Sequence, residues 1–370
     1  MRHLYVHIPF CRSRCRYCDF ASEPLGPHAR AGRVEDYVAL LRSELNDWVA
    51  RGAGPFETVY IGGGTPTVLP ARLLVDLVGD LRALQAGVAN PELTVEANPG
   101  TIDRELLAAL AAAGVTRLSL GVQSFDPALR AALGRSVSQQ EVESAIAAIG
   151  AMGWEDWNID LVFGIPGQDW VSAAADIEAA VGAGPSHISL YDLTYTRAYA
   201  SWVRRTMGAG ARRAAGAFVE EHLGAAVARL EAAGYRRYEV SNFARPGFEC
   251  RHNLAYWRGE DYLGIGASAV STVGLLRRTN PREVKAYLAR TPAAIEQLSS
   301  ETRRWERAML GLRTSWGVGI DEVAPVLDQD ALRRLLTGGC LVERCGRLSL
   351  HPQYLNVSNA VLSSLLVEPT

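Results

Sequence analysis

The sequence has 370 residues, of which 48% are hydrophobic, and its 38 basic and 40 acidic residues leave a formal net charge of −2. This length suits one large α/β domain with a smaller one, and the balanced charge gives no overall field that would attract nucleic acid or an anionic membrane. We find no run of about 18 apolar residues and no signal-peptide pattern at the N-terminus. We therefore expect a cytoplasmic protein without a membrane span that does not bind nucleic acid.

Short strands alternate with amphipathic helices along the first 240 residues. The predicted strands are Leu4–Ile8, Thr58–Ile61, Leu93–Glu96, Arg117–Leu120, Asn158–Phe163 and His187–Leu193. The predicted helices are Val34–Val49, Leu69–Leu84, Asp103–Ala113, Gln139–Ala151, Val171–Val181 and Ala214–Ala233. This alternation indicates an α/β fold with a parallel sheet, and six units are typical of a partial (β/α)6 TIM-like barrel.

The remainder of the chain has a different character. Pro246–Thr272 is rich in glycine and aromatic residues and is predicted to be irregular. After it, Glu301–Leu312 and Asp328–Leu336 are predicted helices, and Arg344–Leu350 is a predicted turn and strand. The predicted domains are a barrel at 1–240, a connecting segment at 241–298, and a small, mainly helical, winged-helix-like domain at 299–370.

Three of the six cysteines lie close together, at Cys11, Cys15 and Cys18. Three thiolates on one loop can bind three irons of a [4Fe–4S] cubane and leave the fourth iron open to a small molecule. A zinc site is one alternative, although structural zinc takes four ligands and only His7 or Asp19 lies nearby to complete the set. Three unrelated buried cysteines are a second alternative, and the spacing favours the cluster.

Gly62-Gly63-Gly64 directly follows the second predicted strand and precedes Thr65. Consecutive glycines permit positive φ angles and the close approach of a ligand, and their N–H groups can face a carboxylate. A tight βα turn explains the same residues equally well when they are considered alone. Because functional loops follow the carboxyl ends of parallel strands, we expect the glycine loop, the cysteine loop, Glu96 and Gln123 to lie together.

Several ordered motifs, spread over most of the chain, resemble the HemN/HemW branch of the radical SAM superfamily. They are Tyr5-Val6-His7-Ile8-Pro9-Phe10-Cys11 with Cys15 and Tyr17-Cys18-Asp19-Phe20, Ile61-Gly62-Gly63-Gly64-Thr65-Pro66-Thr67, Glu96-Ala97-Asn98-Pro99-Gly100, Leu120-Gly121-Val122-Gln123-Ser124-Phe125, Leu133-Gly134-Arg135 and Asn158-Ile159-Asp160-Leu161. The resemblance implies a [4Fe–4S] cluster whose open iron binds S-adenosylmethionine, the source of a 5′-deoxyadenosyl radical. It also implies a binding site for S-adenosylmethionine formed by Tyr5, Tyr17, Gly63, Gly64, Thr65, Glu96, Gln123, Arg135 and Asp160.

Two features distinguish the members of this branch. Coproporphyrinogen III dehydrogenases usually carry a further cysteine at the position of Phe20, whereas HemW-type haem chaperones carry Phe. The segment from His252 to Trp257 is similar to the His-Asn-x-x-Tyr-Trp signature of HemW-type proteins. The resemblance therefore implies a chaperone that binds haem, a [4Fe–4S] cluster and S-adenosylmethionine and transfers haem to an acceptor protein. A HemN-like radical SAM methyltransferase is the alternative, and a coproporphyrinogen III dehydrogenase is less favoured.

The candidate haem residues surround this signature. Imidazole and thiolate are both axial ligands of haem iron, and aromatic rings can enclose a flat macrocycle. A lone histidine is more often a hydrogen-bonded core residue, so it is the signature that favours haem. The chain departs from HemW-type sequences at Val270, where they usually carry a histidine. The candidates are His252, Asn253, Tyr256, Trp257 and Cys250.

Overall fold

A computed structural model describes residues 1–25 and 32–367 of the chain. Its strands are β1 (His3–Ile8), β2 (Phe10–Cys11), β3 (Glu23–Pro24), β4 (Thr58–Gly63), β5 (Glu92–Ala97), β6 (Arg117–Gln123), β7 (Trp157–Phe163), β8 (His187–Asp192), β9 (Arg236–Arg237), β10 (Asn242–Ala244), β11 (Tyr262–Ile265), β12 (Val270–Val273), β13 (Leu276–Thr279), β14 (Ala294–Gln297), β15 (Val318–Gly319), β16 (Leu341–Arg344) and β17 (Arg347–Leu350). Its helices are α1 (Arg33–Ala50), α2 (Ala71–Ala83), α3 (Arg104–Ala113), α4 (Pro127–Ala132), α5 (Gln139–Ala151), α6 (Trp170–Ala183), α7 (Arg197–Met207), α8 (Ala211–Ala232), α9 (Arg251–Trp257), α10 (Val284–Leu288), α11 (Ser300–Gly311), α12 (Ile320–Val323), α13 (Gln329–Thr337) and α14 (Ser358–Leu365). Short 3-10 helices lie at Pro66–Val68, Ala324–Val326 and Pro352–Val357.

Within the described residues, twelve strands form one open sheet in the order β14-β13-β12-β11-β1-β4-β5-β6-β7-β8-β10-β9. The strands from β11 to β8 run parallel, while those at the two edges run antiparallel. The six strands predicted for the barrel are β1 and β4 to β8, which are neighbours in this order. The predicted α/β class and its parallel sheet with covering helices are therefore confirmed.

The segment Pro246–Thr272, predicted to be irregular, instead contains α9, β11 and most of β12. β11 pairs in parallel with β1, and Gly264 lies opposite Tyr5. A Cβ atom at Gly264 would lie 2.2 Å from the carbonyl oxygen of Val270, so glycine is required where the two chain segments approach. Glycine is depleted in strands, which explains why the sequence pattern concealed this seventh parallel strand.

The predicted helices are present, with small differences at their ends, and several begin at a capping residue. Ser138 and Glu141 form a reciprocal capping box at the start of α5. The side chain of Asp103 accepts a hydrogen bond from the N–H of Leu106 at the start of α3. Among the helices that were not predicted, α4 has only six residues and α7 is rich in arginine. The others are α9, α10, α12 and α14, which have at most eight residues.

The sheet is buried on both faces in its centre. All seven residues of β6 are buried. One apolar cluster includes residues of β1, β4 and β5 with α1 and α2, and a second includes residues of β6 to β8 with α5, α6 and α8. Burial on both faces is typical of a parallel sheet between helices, and each fully buried aliphatic side chain contributes about 1.5–3 kcal/mol.

The register of the parallel strands brings the predicted site residues to one edge. Ile8 of β1 lies opposite Gly63 of β4, and Gly121 of β6 lies opposite Asp160 of β7. Glu96 is the penultimate residue of β5. Because parallel strands end at the same edge of a sheet, these residues and the loops that follow them form one rim.

The last part of the chain, from α11 onward, has its own apolar cluster between Ala308 and Leu365. It contains α11 to α14 and an antiparallel sheet in the order β15-β17-β16. The hairpin of β16 and β17 turns through Cys345 and Gly346, whose φ angles of 51° and 72° are those of a type I′ turn. The mainly helical character is confirmed, whereas the predicted domain boundaries stay a prediction. No helix among the described residues is long and apolar enough to cross a membrane.

Candidate functional site

The three clustered cysteines lie on the loop that follows β1. Cys11 ends β2, and Cys18 donates its main-chain N–H to the carbonyl of Cys15 at 3.3 Å. Between them, Arg16 donates its main-chain N–H to the carbonyl of Leu133 at 2.9 Å, just after α4. The loop is therefore held at the carboxyl edge of the sheet, on the side of β6 and β7.

The three thiols line a cavity of about 120 Å³, which we call the cluster cavity. The structure thus brings the cysteines together with nearly all of the residues predicted for S-adenosylmethionine. Those lining the cluster cavity are Tyr17, Gly63, Gly64, Thr65, Glu96, Gln123, Arg135 and Asp160.

The surroundings of the thiols suit a cationic iron centre. Burial raises the pKa of the Cys11 thiol and of the Cys15 thiol, and the neighbouring thiols raise both pKa values further. Two groups act in the opposite direction: Nη1 of Arg135 lies 3.8 Å from Cys15 Sγ, and the Thr65 hydroxyl lies 3.7 Å from Cys11 Sγ. Buried thiolates need a positive partner, and iron supplies it in a cubane. The residues therefore fit a [4Fe–4S] cluster.

The zinc alternative is not supported by the side chains around the loop. In the parts of the chain that the structure describes, no three His, Cys, Asp or Glu side chains form a group that could hold a single metal ion. Both ring nitrogens of His7 are engaged, Nδ1 at 3.0 Å from the Tyr5 hydroxyl and Nε2 at 2.9 Å from the Ala21 carbonyl. The side chain of Asp19 is 85% exposed. In a cubane each thiolate binds a separate iron, whereas in a zinc site all ligands bind one ion.

The glycine loop packs against two neighbouring segments of the same chain. Gly63 donates its N–H to Glu96 Oε2 at 3.0 Å, and Gly64 donates its N–H to the carbonyl of Ile8 at 2.7 Å. A Cβ atom at Gly64 would lie 2.6 Å from the carbonyl oxygen of Phe10. Gly63 N–H therefore faces a carboxylate of the protein itself, and Gly64 N–H is engaged because the loop folds back onto the end of β1. The role of both glycines toward S-adenosylmethionine stays a prediction.

Glu96 is the acid of the cluster cavity with the clearest electrostatic signature. The Tyr60 hydroxyl donates to its Oε1 at 2.7 Å, and Gly63 N–H donates to its Oε2. Burial raises the pKa of Glu96 to about 7, with a smaller increase from Asp160 and an opposing effect of the Tyr60 hydrogen bond. Its carboxyl group therefore changes charge near neutral pH, and the ionised form can bind an ammonium group.

Arg135 and Asp160 place opposite charges on the wall of the cluster cavity. Asp160 accepts a hydrogen bond from Asn158 Nδ2 at 2.7 Å, and burial raises the pKa of Asp160. Nη2 of Arg135 donates to the carbonyl of Gly121 at 2.7 Å and to the side chain of Asn98. Both side chains are held by hydrogen bonds, so they form a fixed polar surface for a zwitterionic ligand.

Gln123 has an unusual backbone conformation. Its φ angle is 73°, and the pairing of β6 with β7 shifts register between Gly121 and Gln123. Positive φ in a residue other than glycine costs roughly 1–3 kcal/mol, and such strain is concentrated at functional sites. The bulge turns the side chain of Gln123 to the cluster cavity, where the sequence pattern placed it.

Asn98 lines the cluster cavity but was not among the predicted site residues. Its Nδ2 donates to Thr65 Oγ1 at 2.6 Å, and its Oδ1 accepts a hydrogen bond from Arg135. Asn98 thus joins the glycine loop to the guanidinium beside the cysteines. Its position two residues after Glu96, within one of the recognised motifs, was the signal available in the sequence.

A second cavity, of about 490 Å³, adjoins the first, and we call it the aromatic cavity. Its characteristic rings are those of Tyr5, Tyr60, Tyr191, His252, Tyr256 and Tyr262. Gly63, Glu96 and Phe20 line both cavities. Tyr5 is the one predicted S-adenosylmethionine residue that the structure places here and not in the cluster cavity.

The haem candidates divide between the wall of the aromatic cavity and its surroundings. His252, Asn253 and Tyr256 line the cavity, whereas Cys250 and Trp257 are not part of its lining. The Sγ atom of Cys250 lies 3.7 Å from Oε1 of Glu92, and burial raises the pKa of the thiol. The thiol of Cys250 is thus buried beside a carboxylate and away from the cavity.

His252 lies on α9 and is 1% exposed. Its ring stacks on Tyr60 at 5.3 Å between centroids, and its Nδ1 lies 2.8 Å from Thr58 Oγ1. Burial lowers the pKa of His252 to about 3, with a further contribution from His3, so the imidazole is neutral. Its Nε2 has no hydrogen-bond partner among the described residues.

Val270 also lies on the wall of the aromatic cavity. The departure from the HemW-type pattern therefore removes an imidazole from this cavity. Of the two histidines that remain there, His7 has both ring nitrogens engaged. His252 Nε2 is consequently the imidazole nitrogen of this wall that is left for a ligand.

Comparisons with known proteins agree with these observations. A sequence profile of the Radical SAM superfamily matches residues 5–180. The chain is 37% identical over 293 residues to the haem chaperone HemW of Escherichia coli, with 77% of this chain and 75% of that protein covered. It is 35% identical over 371 residues to the haem chaperone HemW of Mycobacterium tuberculosis, with 98% and 94% covered. The structure superposes on coproporphyrinogen III oxidase HemN of Escherichia coli with a TM-score of 0.80 at 21% identity, covering 98% of this chain and 89% of that one, which shows a shared fold.

Proposed function

The chain belongs to the HemW-type branch of the HemN-like radical SAM family, and on this premise we propose that it is a haem chaperone. It would bind a [4Fe–4S] cluster, S-adenosylmethionine and haem, and transfer the haem to an acceptor protein. The observation that carries the proposal is the pair of adjoining cavities, one lined by three cysteines and one by aromatic rings, with Glu96, Gly63 and Phe20 common to both.

In the cluster cavity, Cys11, Cys15 and Cys18 would hold the [4Fe–4S] cluster. When bound, that cluster supplies an open iron and an electron for S-adenosylmethionine. The ionised carboxyl group of Glu96 is suited to the ammonium group of S-adenosylmethionine, and the Arg135 guanidinium is suited to a carboxylate. These residues orient the ligand beside the thiols, and burial of the site limits access of water.

The aromatic cavity suits a flat apolar macrocycle. Rings such as those of Tyr5, Tyr60 and Tyr256 combine a large apolar surface with a polar tip. Ligand sites are commonly apolar clefts with a few convergent polar groups, and His252 is such a group here. The neutral imidazole of His252, whose Nε2 has no hydrogen-bond partner in the described part of the chain, is suited to ligate haem iron.

One cation lies at the mouth of the aromatic cavity. Arg282 is the only Lys or Arg in the lining of this cavity among the described residues. Its Nη2 donates to the carbonyl of Asp19 at 2.9 Å, and the side chain is 63% exposed. Haem carries two propionate carboxylates, and a guanidinium binds a carboxylate with charge-assisted hydrogen bonds. Arg282 is therefore suited to orient haem with its propionates at the mouth.

Transfer requires that His252 can give up the iron. His252 would supply one imidazole, and Val270 stands in the same wall where the family usually carries a histidine. Fewer protein ligands in this wall would make the haem easier to pass on. The proposed acceptor is thus a protein that offers its own haem ligand.

The proposal is tested by titrating anaerobically reconstituted protein with haem while 5′-deoxyadenosine is assayed. A chaperone binds haem near one equivalent and loses it to an apo-haemoprotein, without S-adenosylmethionine consumption in proportion to the haem transferred. A methylated product with two molecules of S-adenosylmethionine used per turnover supports the methyltransferase alternative. Absence of haem binding contradicts the proposal.

A further inference from the structure

Four side chains form a continuous series of hydrogen bonds that ends at the aromatic cavity. Glu260 Oε2 lies 3.1 Å from His3 Nε2. The other ring nitrogen, His3 Nδ1, lies 2.9 Å from Thr58 Oγ1. The same hydroxyl lies 2.8 Å from His252 Nδ1. His3, Thr58 and His252 are all buried, so no water competes for these contacts.

The outer end of the series is fixed by charge. Nη2 of Arg2 lies 3.0 Å from Glu260 Oε2, and Nη1 of Arg258 lies 3.8 Å from Glu260 Oε1. The hydrogen bond from His3 and the charges of Arg2 and Arg258 lower the pKa of Glu260, while partial burial opposes them. An ionised carboxylate only accepts hydrogen bonds, so His3 Nε2 must be the donor toward Glu260.

This direction passes along the series. When His3 is neutral, it has one donor and one acceptor nitrogen, so its Nδ1 accepts the hydroxyl proton of Thr58. The hydroxyl oxygen of Thr58 then accepts a hydrogen bond, and His252 Nδ1 must donate it. His252 is left with its proton on Nδ1 and a bare lone pair on Nε2.

The unpartnered nitrogen gives the same answer independently. His252 Nε2 is buried without a hydrogen-bond partner among residues 1–25 and 32–367. If Thr58 donated to Nδ1 instead, Nε2 would carry a buried N–H without an acceptor, which is rare and costly in folded proteins. A bare nitrogen in an aromatic surrounding costs less and is the form that can ligate a metal.

We propose that Glu260, His3 and Thr58 are positioning residues that hold His252 in the Nδ1–H tautomer, with the lone pair of Nε2 available to an iron ion in the aromatic cavity. The ring plane is also held, because His252 stacks on Tyr60 and meets the edge of Tyr256 at 5.0 Å between centroids. Hydrogen bonds to the second nitrogen of ligating histidines commonly have this role. The consequence for haem rests on the proposed function, whereas the tautomer is a property of the chain alone.

The tautomer is read directly by two-bond ¹H–¹⁵N correlation spectra of histidine-labelled protein without haem. His252→Gln identifies the signals of His252 by their loss. We expect a protonated Nδ1 and an unprotonated Nε2 in the wild type and in Thr58→Ser. In Thr58→Val, which keeps the shape but removes the hydroxyl, and in Glu260→Gln, at the partly exposed end of the series, we expect a mixture of tautomers.

The second measurement is haem affinity and the position of the Soret band in the same proteins. We expect Thr58→Val to weaken haem binding about tenfold and Thr58→Ser to resemble the wild type. Iron and sulfide content, which depends on the other cavity, should be unchanged and serves as the control for folding.

The outcomes separate this inference from the proposed function. A wild-type His252 with its proton on Nε2, or an unchanged tautomer in both Thr58→Val and Glu260→Gln, overturns the inference. The expected tautomers together with no haem binding in the wild type leave the positioning role intact and refute the haem chaperone. Expected tautomers with equal haem affinity in Thr58→Val and Thr58→Ser overturn the role of Nε2 as the iron ligand.

Discussion

The hydroxyl of Tyr60 donates a hydrogen bond of 2.7 Å to Glu96 Oε1. The Tyr60 ring lines the aromatic cavity, and the Glu96 carboxyl group lines both cavities. One hydrogen bond thus joins the wall proposed for haem to the acid proposed for S-adenosylmethionine. Because the hydrogen bond stabilises the ionised carboxylate, it lowers the pKa of Glu96 against the larger effect of burial.

The first prediction concerns the pH dependence of S-adenosylmethionine binding. The pKa of Glu96 is about 7, so roughly one tenth of the carboxyl groups are ionised at pH 6 and about nine tenths at pH 8. Only the ionised form attracts a cationic ligand. We therefore expect the affinity, measured by anaerobic calorimetry, to increase up to about tenfold between pH 6 and pH 8.

Two variants test the assignment to Glu96. Glu96→Gln should bind S-adenosylmethionine weakly and with no change between pH 6 and pH 8. Tyr60→Phe should move the midpoint to higher pH, because loss of the Tyr60 hydrogen bond raises the pKa of Glu96 further. A pH dependence that persists in Glu96→Gln would assign the titration to another group.

The second prediction concerns the cluster. Anaerobically reconstituted protein should contain about four irons and four sulfides per chain. Replacing Cys11, Cys15 and Cys18 together by Ala should abolish this content, because no cubane corner would keep its thiolate. Cys345→Ala is the matched control, since Cys345 lies in the hairpin turn of β16 and β17. Iron and sulfide retained in the triple variant would refute the assignment.

The central part of the fold could be predicted because its signals are local. The strands of the barrel are short, mainly apolar runs, and helices such as α3 and α5 start at Asp103 and Ser138 caps. β11 was missed because Gly264 is dictated by a contact with Val270 and not by strand propensity. The parallel pairing of β11 with β1, which is distant in the sequence, is likewise not visible in a local pattern of residues.

The candidate site could likewise be predicted only in part. The cysteine loop, Glu96 and Gln123 could be placed together because parallel strands end at one edge. The place of His252 could not be predicted, since its partner Thr58 is 194 residues away in the sequence. Likewise, nothing in the spacing of the glycine motif indicated that Gly63 and Gly64 would bond to Glu96 and Ile8.

The third prediction tests the packing role of the glycine loop. A Cβ atom at Gly64 would lie 2.6 Å from the main-chain oxygen of Phe10, which cannot move without displacing the cysteine loop. We expect Gly64→Ala to lower the melting temperature and the iron content, with a loss of about 1–3 kcal/mol in stability.

Gly79→Ala is the control, because no heavy atom of the described residues lies within 4 Å of its Cβ position on α2. It should stabilise the protein by up to about 1 kcal/mol. Equal effects of the two substitutions would contradict the packing role.

The fourth prediction is that the protein does not convert coproporphyrinogen III to protoporphyrinogen, even with reductant and S-adenosylmethionine. Phe20 stands where the dehydrogenases usually carry a cysteine, and its ring is 66% exposed between the two cavities. Phe20→Cys alone should not create the activity, because the aromatic cavity would keep its other residues. Efficient decarboxylation by the wild type, measured by porphyrin fluorescence after oxidation, would refute the chaperone proposal.

The last prediction identifies the donor atom for haem iron. His252 lines the aromatic cavity, and its Nε2 has no partner within residues 1–25 and 32–367, whereas Cys250 is buried beside Glu92 and is not part of the lining. We therefore expect His252→Ala to shift the Soret band and to weaken haem binding at least tenfold, while its iron and sulfide content stays normal. Cys250→Ser, which can keep the contact with Glu92, should leave the spectrum unchanged.

The opposite result, an unchanged spectrum in His252→Ala and a loss of haem binding in Cys250→Ser, would identify the thiolate as the iron ligand and would require α9 to move. Normal spectra in both variants would place haem away from α9, and substitution of Arg282 by Gln would then show whether the mouth of the aromatic cavity takes part at all.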